Sequence, residues 1–276
     1  MEYRTSHGDE TLSVIDTDNN LTIHSSAVTN VGMVRGNNED SVQIWAFKSF
    51  VLALVADGMG GAAGGEQASA LAVDAVQSDF IESNRDSQIW RNITENEIED
   101  KMRFALAQAN QAVLDRAAED HHLQGMGTTA TMALLHSKRA IFAHIGDSRA
   151  YHVYAETGEI KQVTDDHSFV EALVTSGHLT KEQAAEHPMR NVLYKALGQK
   201  PESDLEIDIY YDDLNEGDWL VLCSDGLPRH LSDEEIGKIT MESKDTLEVA
   251  QNLVKLCNER GGEDNVSAIV MQMVKS

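Results

Sequence analysis

A chain of 276 residues with 46 acidic and 22 basic side chains, formal charge −24, repels nucleic acid and anionic lipid, and it is long enough to bury a substantial core in one unit. Three prolines, ordinary hydrophobic content and no fixed-period repeat exclude disorder, solenoids and propellers. The longest apolar run, 50–56, is far below the ~18 residues that span a bilayer, and residues 1–10 carry no signal-peptide pattern, so a cytoplasmic protein without membrane insertion is expected.

Residues 1–20 read as a polar extension, and 21–276 as one domain. Apolar residues alternate or run continuously over 21–28, 41–47 and 50–56, which predicts three early strands. From Glu66 the period lengthens: Ala68, Leu71, Ala72, Ala75, Val76 and Phe80 share one helical face, and Ile98, Met102, Leu106, Ala109 and Val113 share another. Strands follow at 129–135, 140–145 and 150–154, spaced as antiparallel neighbours joined by short turns. Residues 165–200 break the rhythm with short helical pieces and read as a flap over a site. Strands return at 205–211 and 219–223, then a helix at 247–257 and a last strand at 266–273. Strands clustered between groups of helices indicate an α+β layered architecture. Cys223 and Cys257 sit in apolar sequence and are expected as buried small hydrophobes, not a disulfide framework.

Acidic residues stand where apolar strands stop: Asp57, Asp147, Asp225, and Asp264 just before Val266. Strand ends in one sheet layer meet on one rim, so these carboxylates are expected to converge. Carboxylates gathered in this way repel one another unless a divalent cation neutralises them. All-oxygen ligands select Mg²⁺ or Mn²⁺ over zinc. A single Asp-Gly pair is better explained by a tight turn. The contexts are richer than that: Ala56-Asp57-Gly58-Met59-Gly60-Gly61, Gly146-Asp147-Ser148-Arg149, Ser224-Asp225-Gly226-Leu227 and Glu263-Asp264-Asn265.

Together with Gly32-Met33-Val34-Arg35-Gly36-Asn37-Asn38-Glu39-Asp40 and Gly125-Met126-Gly127-Thr128-Thr129, in this order, these segments resemble the bacterial branch of the type 2C (PPM) metal-dependent protein phosphatases, from about Val31 to Met273. The resemblance implies a four-layer αββα sandwich with two central antiparallel sheets, a binuclear metal centre at one end, and hydrolysis of phosphoserine and phosphothreonine. It implies that Asp57 bridges both metals and that the Gly58 carbonyl binds the first. Asp225 and Asp264 bind the second, and Asp147 shares a third with Asp225. Glu39 and Asp40 match acids that hold metal-bound waters, Asn265 is expected behind the metal ligands, and Arg35 matches the residue gripping the phosphate. Two cations at about 3.5–4 Å share one water and present hydroxide in line with the P–O bond, without a covalent phosphoenzyme. Arg35 suits phosphate through its planar fork, although an ion pair with an acid such as Glu39 would explain it too. Met189, Arg190 and Asn191 in the flap are expected to touch protein substrate. Phosphorylated proteins are the implied partners, with an opposing Ser/Thr kinase.

Two departures stand out. Met59 replaces the His that eukaryotic members carry after Asp-Gly, so no general acid is assigned. Leu227-Pro228-Arg229-His230 stands where a small polar residue and an acid are expected, and nothing in the sequence accounts for it.

Other readings are weaker. A catalytically silent phosphoprotein-binding relative would have lost ligands, and the matched acids are all present. Gly58-Met59-Gly60 with Ala63 and Asp79 imitates a dinucleotide fingerprint, but Asp79 falls within a helix and Asp57 would face the pyrophosphate. The Asp16, Asp18, Asn20 run lacks the Gly and Glu of a calcium loop and reads as a polar turn. His121, His122, His167, His178 and His187 fit no zinc spacing and are expected as exposed or flap residues.

Overall fold

A computed structural model describes residues 3–5, 10–16, 21–60, 64–84, 90, 92–201 and 205–275. Strands β1 (Tyr3–Thr5), β2 (Glu10–Asp16), β3 (Leu21–Asn30), β4 (Asp40–Ala46) and β5 (Val51–Met59) precede helices α1 (Gly64–Ala75) and α2 (Glu95–Glu119). Then come β6 (Gly127–Thr128), β7 (Ala130–His136), β8 (Arg139–Ile145), β9 (Arg149–Val153) and β10 (Ile160–Gln162). Short helices α3 (Phe169–Thr175) and α4 (Lys181–Ala185) lead to β11 (Asp208–Asp213) and β12 (Trp219–Cys223). Helices α5 (Asp233–Glu242) and α6 (Thr246–Glu259) and strand β13 (Val266–Lys275) close the fold.

One sheet runs β1-β4-β5-β7-β8-β11 with β6 beside β5, and the other runs β10-β9-β12-β13-β3-β2. All described pairings are antiparallel. The alternation within 50–56 explains the layering. Leu52, Leu54 and Ala56 face Ala72, Val76, Met102 and Leu106 of the first helical layer. Val51, Ala53 and Val55 face the other sheet, among Leu220, Leu222, Ile269 and Met271. That second sheet turns Val221, Cys223, Ala268 and Val270 to Val249, Leu253, Val254 and Cys257 of α6. A strand buried on both faces reads as a continuous apolar run, as seen here. The result is the α+β four-layer αββα sandwich, and both cysteines are buried in it.

Several expectations change. Strand β5 continues to Met59, because β6 pairs with Gly58 and Met59, so Asp57 and Gly58 lie inside a strand rather than after one. Strand β9 is no hairpin neighbour of β8: it crosses to the second sheet and pairs with β12 and β10. The crossing occurs at Gly146, whose φ of +118° and lack of Cβ let the chain turn beside Thr129. Helix α5 is not among the predicted elements, although Ser232 and Glu235 form a capping box at its start. Strands β1 and β2 hydrogen-bond to β4 and β3 from within residues 1–20. Residues 17–20 of the expected polar turn, and Gly61 and Ala63, lie outside the described residues. Asp79 sits in a π-helical turn, Val76–Ile81.

Candidate metal centre

Asp57, Asp147, Asp225 and Asp264 come within electrostatic reach of one another, from both sheets rather than one rim. Asp57 comes from β5, Asp147 from the turn between the sheets after β8, Asp225 from the end of β12, and Asp264 from the entry to β13. Closing a sandwich brings the ends of two sheets together, a convergence that strand order within one layer does not supply.

Asp57 is fixed by its backbone. Its N–H donates to Thr129 Oγ1 at 2.9 Å, and its carbonyl accepts from the Thr129 N–H and the Thr128 hydroxyl, both at 2.9 Å. Gly58 admits the start of α1: a Cβ there would meet the Gly65 carbonyl oxygen at 2.1 Å. Any other residue would push α1 off the site. Asp40 is buried opposite Asp57 in the ladder. Its Oδ2 accepts from Ser224 at 2.8 Å and Ser267 at 2.6 Å, whereas its Oδ1 is buried without a hydrogen-bond partner.

The charges act on one another as the sequence argument requires. Burial, then Asp40, Asp225, Asp147 and Asp264, hold the Asp57 carboxyl well above the usual range. Burial raises Asp40 to about 7 against its two hydroxyl bonds, with Asp225 and Asp264 adding to the rise. Burial and Asp225 likewise push Asp147 up. Burial raises Asp225 too, although Arg229 opposes it. Glu39, half-buried, is raised chiefly by burial.

Asn265 ties the loop carrying Arg35 to this end of the fold. Its side-chain amide donates to the carbonyls of Val31 at 2.9 Å and Asn37 at 3.0 Å, and its oxygen accepts from the Glu39 N–H at 2.8 Å. Arg35 pairs with Asp264 at 2.9 Å instead of Glu39, its side chain half exposed. Arg229 donates to Asp225 and approaches Asp264 at 3.3 Å. Among the described residues, no three His, Cys, Asp or Glu side chains are drawn together closely enough to close on one metal ion. Two of the acids are turned to arginines. The donor chemistry nevertheless fits a hard divalent cation: carboxylates and the Gly58 carbonyl alone, mutually repelling, with one buried acid oxygen left over.

His167 lies at the start of the flap, as expected, but is buried: its Nδ1 accepts from the Gly146 N–H at 3.0 Å, its backbone N–H donates to the Gly146 carbonyl at 2.7 Å, and its Nε2 meets Asp208 at 2.7 Å. Asp208 and His167 thereby pin the turn that presents Asp147. The pairing joins residues far apart in sequence, and no local spacing announces it. His121, His122 and His178 are exposed, as expected.

The flap is held at both ends. Ser168 bridges to Leu193 and Thr128 to Leu197, and Ala196 and Leu197 are buried. Between these anchors Met189, Arg190 and Asn191 are exposed. Arg190 and Asn191 border a cleft of about 890 Å³ that reaches Asp147, Asp225 and Arg229.

The protein phosphatase 2C family model matches residues 34–269. The serine/threonine phosphatase stp of Listeria monocytogenes is 32% identical over 255 residues, spanning 91% of this chain and 96% of that protein. The serine/threonine phosphatase of S. agalactiae superposes with a TM-score of 0.82 at 35% identity, covering 91% of this chain and 99% of that one. The catalytic domain of the serine threonine protein phosphatase PstP in complex with two manganese ions superposes with a TM-score of 0.76 at 33% identity, covering 92% and 99%.

Proposed function

The chain belongs to the protein phosphatase 2C family and is a serine/threonine protein phosphatase, and we propose that it works through a divalent-cation centre on Asp57, the Gly58 carbonyl, Asp147, Asp225 and Asp264. The observation that carries this reading is the Asp57 carboxyl: four further acids, from both sheets, act on it in the same direction. Mn²⁺ or Mg²⁺ suits such oxygen donors, two ions with Asp147 available to a third. When bound, the cations supply Lewis acidity that lowers the pKa of water and neutralises the phosphoryl oxygens.

The remaining work falls to the chain. Asp40, its Oδ2 held by two hydroxyls, keeps Oδ1 to accept a proton from a site water. Glu39, raised by burial, serves beside it. Arg35 stands at the exposed edge and offers its fork to the substrate phosphate once freed from Asp264. Met59 has no proton to give, so the leaving alkoxide is protonated from water. Arg190, Asn191 and the neighbouring Met189 meet the protein around the phosphoresidue. Residues 21–276 form the catalytic unit, with 1–20 adding edge strands.

The partners are phosphorylated proteins and the Ser/Thr kinase that opposes them. Nucleic acid and membrane are not among them: the charge of −24 repels both, and no helix of the described residues is long and apolar enough to cross a membrane. The cytoplasm is the compartment this reading favours.

The test is hydrolysis of phosphothreonine and phosphotyrosine peptides with Mn²⁺, Mg²⁺ or chelator. Cation-dependent turnover favouring phosphothreonine is expected. Full turnover in excess chelator, after removal of prebound metal, overturns the cation centre. Peptide binding without turnover returns the chain to a silent binding role.

A further inference from the structure

The Pro228-Arg229 pair, which nothing in the sequence explains, finds its role in the site. Arg229 reaches across two acids from separate elements: one Nη donates to Asp225 at the end of β12, and the other lies 3.3 Å from Asp264 Oδ2 at the entry to β13. Its side chain is 27% exposed, and those of Asp225 and Asp264 are 17% and 16% exposed. These are the two carboxylates assigned above to one cation, and the guanidinium occupies acceptor oxygens which that cation needs.

The placement is built into the turn rather than reached by a loose side chain. Leu227 is buried, and its carbonyl accepts from Cys257 Sγ at 3.8 Å. Pro228 fixes φ at the next position. The His230 carbonyl accepts from Arg260 at 2.6 Å, and Arg260 is clamped on Glu235 of α5 at 2.6 Å. The Arg229 N–H closes the turn on the Asp225 carbonyl at 3.3 Å. Arg229 is thus anchored on both sides and aimed at the acids.

We propose that Arg229 is a built-in competitor for the cation held by Asp225 and Asp264, a tethered positive charge that must leave both carboxylates before that cation is coordinated. The proposal rests on the cation-centre reading. A guanidinium matches carboxylates through its fixed fork, so its hold is directional as well as electrostatic. Binding through a fractionally populated competent state weakens apparent affinity by that fraction; an Arg-paired population of about nine in ten weakens it roughly tenfold. The effect is selective, because Arg229 touches Asp225 and Asp264, whereas the Gly58 carbonyl serves the other ion and Asp57, shared by both, is untouched. In its paired position Arg229 already lines the cleft that Arg190 and Asn191 border, so its release would change the charge on that wall. Cation entry and the charge of the substrate cleft are thereby coupled.

The experiment is Mn²⁺ titration of the whole chain, read by the paramagnetic resonance of free Mn²⁺ and by calorimetry, for wild type, Arg229→Ala, Arg229→Met and Arg229→Lys. The Ala and Met variants should tighten the weaker class of sites about tenfold and leave the stronger class in place, with Lys in between. In chelator, Ala and Met should melt below wild type, because the acids lose their counter-charge. Two folded neutral variants that bind Mn²⁺ as wild type does, or more weakly, overturn the competitor role. A raised KM for phosphopeptide with unchanged Mn²⁺ affinity does the same and assigns Arg229 to substrate instead. Wild type that binds no Mn²⁺ overturns the cation centre itself, which separates that failure from failure of Arg229 alone.

Discussion

Asp40 and Asp57 are direct partners across the β4–β5 ladder, and both carboxyls are held above their ordinary range. Like charges directly opposite in a sheet destabilise it, and burial sharpens the repulsion. Stability has been given up locally to gather negative charge, as active sites commonly do.

Asp57→Asn should therefore separate stability from catalysis. Loss of a shared ligand is expected to lower kcat/KM by about a thousandfold or more, several kcal/mol of transition-state stabilisation. In chelator the same variant should melt higher, by roughly 2–4 °C if about 1 kcal/mol of repulsion is relieved in a chain of this size. Activity assays paired with thermal melts check both. Near-normal kcat/KM would remove Asp57 from the centre.

Metal-free stability should fall as pH rises from 5 to 8. A carboxyl whose folded pKa lies above its unfolded value binds its proton more tightly when folded, so its contribution is full below 3.8 and is lost as pH rises through the folded value, about 7 for Asp40. Asp57, Asp147 and Asp225 shift in the same direction. His144, pressed down to about 3 mainly by burial, works the other way: its contribution is full above 6.5 and lost as pH falls towards 3. Four raised acids outweigh it and His167, which is also lowered. Melts in chelator from pH 5 to 8 test this. With Mn²⁺ the slope should flatten or reverse, since deprotonated acids bind the cation. A chelator curve that rises throughout this range would contradict the assignment.

His167→Phe should unfold at lower denaturant and turn over more slowly. The Gly146 N–H loses its buried acceptor, a loss of about 1–3 kcal/mol, and the turn presenting Asp147 loosens. Asp208→Asn, which keeps a hydrogen bond to His167, should do less. Urea unfolding and kcat/KM, measured on both variants, distinguish a positioning role from packing alone. Equal effects of the two changes on kcat/KM would assign the role to charge instead.

Replacing Met189, Arg190 and Asn191 with alanine should lower kcat/KM on a phosphoprotein far more than on a small aryl phosphate. The segment is exposed between the flap's anchors, and Arg190 and Asn191 border the cleft at some remove from Asp57. Parallel assays on the two substrates decide. Equal losses, with Mn²⁺ affinity unchanged, would place the segment in the chemical step.

What the sequence determined by itself is what local chemistry dictates. The continuous apolar run over 50–56 marks a strand buried on both faces, the 3.6-residue period of α1, α2 and α6 marks amphipathic helices, and Asp-Gly, Asp-Ser and Asp-Asn turns mark acids at element ends. Periodicity and turn preference act over a few residues, so one chain suffices to read them. What only the tertiary structure decided is pairing at a distance. The crossing of β9 to the second sheet, Asp40 opposite Asp57, Asp208 behind His167, and Arg229 lodged between Asp225 and Asp264 all depend on which elements the core brings together. Burial then sets the electrostatics: a carboxylate is ordinary in a turn and strained in a crowd, and the crowd exists only once two sheets have closed on each other.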